Sequence, residues 1–257
     1  MDKIFLAAST LCFFGGFLYA AYGLRSGRHH PSWANLAVIA AGFVFQSLTL
    51  HLRGQLHSRC PVTNGAEILV FLSWSTVLLY FVLGRGFRLS LLGMFTAPMV
   101  FVFQAIALVA LATGDPGPKR LEGPADPWRE LHIAVALLSF GAFALGAIAG
   151  VMYLVQDRQL KKHQLGPLFY NLPPIRSLID AIVRLTAIGL ALLTVGIGSA
   201  VMMTERPAAA HFGLAALVWA GYVAMLGLHA GKKIGPKRTA ALAIGVFLLP
   251  LVMLAAG

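Results

Sequence analysis

The side chains best suited to chemistry in this sequence are histidines set against apolar runs. DPWRELHIAVALLSFGAF, residues 126–143, begins with charges and a tryptophan and then places His132 at the mouth of a long apolar stretch. Two readings fit it: a polar residue idling at a membrane surface, or one ligand of a cofactor held at that depth. Imidazole suits the second because one nitrogen of the neutral ring coordinates metal while the other is oriented by a hydrogen bond. His211 opens the later apolar segment 208–229, and His229 closes it in LHAGKK. The two cysteines, Cys12 and Cys60, are too far apart for a redox pair, and C-x-x-C-H, the covalent haem attachment pattern, does not occur.

Composition decides what must position these residues. Of 257 residues, 58% are hydrophobic and only 11% charged, far from the balance of a soluble domain. Apolar segments at 4–24, 34–52, 65–83, 89–112, 130–156, 182–203, 208–229 and 238–256 are long enough to cross a bilayer. They are continuous rather than alternating, which predicts helices and not a barrel. The expected fold is all-α, a polytopic transmembrane bundle of eight helices forming a single domain over 1–257. The first segment reads as helix one and not as a signal peptide, since FFGGFLYAAYGL offers no small-x-small cleavage site.

Basic residues cluster in alternate loops: Arg25 and Arg28, Arg85 and Arg88, Arg158 to Arg176, and Lys232 to Arg238. The loops between them hold Glu122, Asp126 and Glu205. Positive charge favours the cytoplasmic side, so both termini are expected on the external side of the membrane. The net charge of +11 is then a topology signal, and without a folded recognition module it does not point to nucleic acid.

This orientation puts His132 within about a turn of the outer end of span five, with Trp128 as an interfacial anchor. His211 lies at the outer start of span seven, where it approaches His132 if helices five and seven pack together; a surface imidazole is the alternative. His229 sits almost a membrane thickness away, so one cofactor cannot use both it and His132. His132, Ala136, Ser139, Phe143, Gly146 and Gly150 share a helix face whose small residues admit a neighbouring helix or a planar ligand.

Other polar groups read as structural. Glu67, early in span three, needs an inward partner such as His51, Arg53, His57 or Arg59. Gln46 and Gln104, mid-span, call for interhelical hydrogen bonds. Arg176, Asp180 and Arg184 form a polar strip that suggests a short interfacial segment, in contact with membrane lipid, feeding span six. No phosphate loop, clustered metal-ligand motif or nucleophile elbow supports a self-contained enzyme, and no paired interrupted helices support a small-solute transporter.

Three stretches together resemble the cytochrome c assembly family, the polytopic haem-handling proteins of bacterial and plastid cytochrome c maturation: CPVTNGAEILVFLSW at 60–74, LHIAVALLSFGAFALGAIAGVMYLVQDRQLKK at 131–162, and YVAMLGLHAGKKIG at 222–235. The stretch LPPIRSLIDAIVRLTAIGLALLT at 172–194 is similar to the linker and following helix of the family's shorter relatives. The resemblance implies a haem-binding or haem-passing role with haem b, His132 and His229 as candidate iron ligands, and His211 as a further cofactor-binding residue. Partners would be other cytochrome c maturation proteins and apocytochrome c, any haem attachment being done with them. The family's external tryptophan-rich motif has no counterpart here, since the loop before span seven reads TERPAAAH. An accessory, exporter component or regulatory relative matches this better than a stand-alone synthase, and a non-catalytic assembly protein without haem is the alternative.

Overall fold

The computed structural model describes residues 2–26, 32–57, 60, 62–84, 92–114, 126–163, 174–204 and 209–256. All regular elements among them are helices: α1 Asp2–Ser26, α2 Ser32–His57, α3 Gly65–Gly84, α4 Leu92–Gly114, α5 Pro127–Lys161, α6 Ile175–Val201, α7 Ala209–Ala230 and α8 Pro236–Ala256. Seven of them, α1 to α7, are long and apolar enough to cross a membrane by length and composition; α8 covers the segment expected as the eighth span. Several residues behind the charge-based orientation, among them Arg28, Arg85, Arg88, Glu122 and Glu205, lie outside the described residues.

The chain forms two compact units, residues 1–124 and 125–257, each of four helices. In the first, α1 packs on α2 and α4, and α3 lies against α4 and α2. Leu6, Leu50, Ala66, Val70, Ala107 and Leu111, drawn from all four helices, make one apolar cluster.

At the neighbouring helix ends the acid and base predicted to need each other meet. Arg53 donates from Nε to Asp2 at 2.9 Å and from a terminal guanidinium nitrogen to Glu67 at 2.6 Å. Glu67 is 1% exposed, yet its second carboxylate oxygen accepts from the backbone N–H and the hydroxyl of Thr63, both at 2.7 Å. Asn64 caps the same helix, accepting the Glu67 N–H at 2.9 Å, so cap and ion pair share one turn. Of the other named partners, His51 sits beside Gln55 instead, while Arg59 and the His57 side chain lie outside the described residues.

In the second unit α5 is the central element. Its stretch 141–150 is buried throughout, with α6 and α8 packed on it and α7 completing the unit against α6 and α8. The small residues foreseen on one face of α5 serve helix packing: Gly146 meets Leu185 and Thr186 of α6, and a Cβ at Gly150 would stand 3.0 Å from the Ala240 carbonyl oxygen of α8. The tightest approach runs the other way, since a Cβ at Gly189 of α6 would lie 2.5 Å from the Phe143 ring.

One expectation changes. The strip Arg176, Asp180, Arg184 does not form a separate interfacial segment; it belongs to the single 27-residue helix α6. Its three members are exposed while Leu178 and Ile182 are buried. Nothing between 175 and 188 breaks the helix, so the charged face simply turns away from α5 and the helix runs on.

Two substitutions test this packing. Arg53→Leu, which leaves Glu67 buried without its cation, should lower stability by about 3–5 kcal/mol, read from thermal unfolding in detergent. Gly189→Ala should cost about 1–3 kcal/mol by overpacking against Phe143, and the additional change Phe143→Leu should recover part of that loss.

Candidate functional site

The polar residues singled out in the sequence divide between the two units. Gln46, Glu67 and Gln104 belong to the first, all buried, whereas His132, His211 and His229 belong to the second. Gln46 donates to the Val70 carbonyl at 3.0 Å and to the Ser73 hydroxyl. The Gln104 amide meets the Thr10 hydroxyl at 3.3 Å, and that hydroxyl donates to the Leu6 carbonyl at 2.7 Å. Both amides therefore join helices.

Local sequence sets the start of α5. Asp126 is its N-cap and Pro127 its first residue, a favourable pairing because proline lacks the N–H that this position leaves unpaired. One Asp126 oxygen accepts from the Trp128 N–H at 3.0 Å, and the other from the Thr204 N–H at 2.9 Å. A single carboxylate thus ties the first turn of α5 to the chain leaving α6. The Thr204 N–H above all, and the Trp128 and Arg129 N–H groups after it, hold this carboxyl below the usual carboxylate range.

Within two turns of that cap, His132 faces α6. Its Nδ1 is 2.8 Å from the Gly196 carbonyl oxygen. A carbonyl only accepts, so Nδ1 carries the hydrogen and donates it, which leaves Nε2 with the lone pair in the neutral ring. The same carbonyl accepts from Ser199 Oγ at 2.7 Å. Close approach makes this contact available: a Cβ on Gly196 would lie only 3.7–3.9 Å from Ala136 of α5.

His211 comes to the same place from α7. Its ring centroid is 6.2 Å from that of His132, with the planes at 65°. Eleven residues further along both helices, about three turns, Phe143 and Tyr222 stack face to face with centroids 3.9 Å apart and planes at 15°. The two ring pairs hold α5 and α7 in matched register, although the backbones of these helices contact mainly α6 and α8.

His229 is at the opposite end of α7, eighteen residues from His211, or about 27 Å of helix. Its Nδ1 lies 3.0 Å from Thr239 Oγ1, which itself donates to the Gly235 carbonyl at 3.2 Å. This contact orients the His229 ring through Nδ1. Both half-buried histidines, His132 and His229, are therefore oriented through Nδ1 by an oxygen atom of a neighbouring helix.

The sequence contained no side-chain signal for Gly196, whose contribution is a main-chain carbonyl. Thr239, by contrast, stands four residues after Gly235 in a helix start, a spacing that pairs its hydroxyl with that carbonyl. Among the described residues no group of three or more His, Cys, Asp or Glu gathers to hold a metal ion. The arrangement offers paired imidazoles at one end and a lone oriented imidazole at the other.

Because the Asp126 carboxyl titrates below its ordinary range when folded, its contribution to stability is complete above the unfolded-state value, near about 3.9, and is lost as pH falls through the lower folded value. Asp126→Asn should remove that component: the wild-type Tm should fall more steeply than the variant's below about pH 3.9, and parallel profiles would refute the tie.

The sequence matches several known proteins. The family model described as cytochrome C assembly protein matches residues 62–256. Protein HemX of Brevibacillus brevis is 31% identical over 206 residues, 76% of this chain and 68% of its own length. Protein HemX of Bacillus subtilis is 30% identical over 136 residues, covering 52% of this chain and 49% of its own. Cytochrome c biogenesis protein CcsA of Microcystis aeruginosa is 27% identical over 121 residues, 44% of this chain but only 36% of the longer relative. The chain thus spans about two thirds of the first relative and about a third of the last. With a family match over most of its helices, the chain belongs to the cytochrome c assembly protein family and is a multi-pass inner-membrane protein.

Proposed function

We propose that this protein binds or passes haem in cytochrome c biogenesis, with His132 and His211 at one end of the second unit and His229 at the other as its iron-binding residues. The observation that carries the reading is the orientation of the two half-buried histidines. Each engages a neighbouring oxygen through Nδ1, which turns Nε2 away from that contact as the nitrogen for iron, the arrangement usual for metal-bound histidine.

His132 and His211 would hold the metal together, their ring centroids being 6.2 Å apart. When bound, haem would supply a redox-active iron that imidazole nitrogen ligates. The protein's own residues do the rest: Gly196 fixes the His132 ring, Thr239 fixes the His229 ring, and Asp126 anchors the helix that carries His132. With C-x-x-C-H absent, the cofactor is haem b held without thioether bonds. The small-residue face of α5 is packed on α6 at Ala136 and Gly146 and on α8 at Gly150, so the reading rests on the histidines and not on that face.

The charge distribution of the loops supports both termini external, placing His132 and His211 on the side where other maturation proteins and apocytochrome c would receive haem. The family match crosses from the first unit into the second, which supports one functional domain over 1–257. Any haem attachment would be completed with partners.

The test is spectroscopic. The wild-type protein, expressed with abundant haem and purified in detergent, should retain haem with distinct oxidised and reduced absorption spectra. His132→Ala and His211→Ala should each weaken binding at the paired site by tenfold or more, and Thr239→Val, which frees the His229 ring, should weaken the other site by about 10–100-fold. A wild-type protein that retains no haem would favour the alternative, a non-catalytic assembly or regulatory protein acting through partners.

A further inference from the structure

The first unit contains a polar layer that the haem reading does not use. One turn along each helix from the apolar cluster of Leu6, Leu50, Val70 and Ala107 stand Thr10, Gln46, Ser73 and Gln104, one from each of the four helices. All four are buried, and Gln46, Ser73 and Gln104 are 0% exposed. Beyond the layer Phe13, Val77 and Val100 are buried at 0% exposure, with Ser75 and Thr96 buried among them.

The layer does not satisfy itself. Gln46 uses its amide nitrogen on Val70 and Ser73, which leaves its oxygen without a partner. The Thr10 hydroxyl gives its hydrogen to the Leu6 carbonyl at 2.7 Å and stands 3.3 Å from the Gln104 amide, so the Gln104 nitrogen donates to it and the Gln104 oxygen takes the amide position that has no partner. Bare amide atoms are costly away from water, and inside hydrocarbon no solvent reaches them. The two glutamines lie on α2 and α4, which touch, and together they present two acceptors. A guest that fits must donate to both and be small enough for a buried layer. Water meets these conditions.

We propose that the first unit binds one ordered internal water between the amides of Gln46 and Gln104, bridging α2 to α4 in the middle of the helix set. This site is independent of the histidines in the second unit.

A double-mutant cycle on the full chain in detergent tests the bridge. Gln46→Met and Gln104→Met should each lower Tm, and the double variant should fall by clearly less than the combined single shifts, because the shared water is already lost in either one. Additive shifts, or a rise in Tm for Gln104→Met, would overturn the proposal. Should the double variant fail to fold, radiolytic labelling of the wild-type protein in 18O-enriched water decides the matter. A bound water should place label on Val70 or Phe103, which are only 2% and 8% exposed; no label at either position refutes it.

Discussion

A polar group inside hydrocarbon has no solvent to fall back on, and that constraint organises this protein more than any single apolar contact. Helices satisfy their own backbones, which leaves the side chains that interrupt the apolar surface to find partners across helix boundaries. Arg53 meets Asp2 and Glu67 from three different helices. Gln46 and Gln104 reach to α3 and α1. In lipid, where apolar side chains gain little by leaving one membrane-like medium for another, such contacts and close small-residue packing hold helices in register.

The same constraint shapes the histidines. A half-buried imidazole needs a polar partner, and both His132 and His229 find one through Nδ1 in an oxygen on an adjacent helix. At His132 one bond to a main-chain carbonyl satisfies the donor and sets the orientation of the ring. Small residues make it possible: Gly196 lets α6 come close enough to α5 to offer its carbonyl, and Gly189 gives the Phe143 ring the room it needs to stack on Tyr222. The ring pairs His132–His211 and Phe143–Tyr222 then set α5 and α7 in register three turns apart.

Much of this was legible in the sequence because the signals are long and continuous. Eight uninterrupted apolar runs yield eight helices, and an acid early in span three with Arg53 nearby finds that arginine. The misread element, the start of α6, failed for a definite reason: Arg176, Asp180 and Arg184 look like the wet face of a surface helix, and so they are, but the helix beneath them does not end where its charge does.

Sequence by itself determined the helical membrane class, the family, and the depth of each histidine along its own helix, because periodicity and hydropathy are properties of a single strand of chain. Tertiary structure alone decided which imidazoles meet, which oxygen orients His132 and which orients His229, and which amides of the first unit stay unpaired. Those outcomes depend on where a neighbouring backbone carbonyl or hydroxyl is brought by helix packing, and a main-chain oxygen such as that of Gly196 leaves no mark in residue types or spacing.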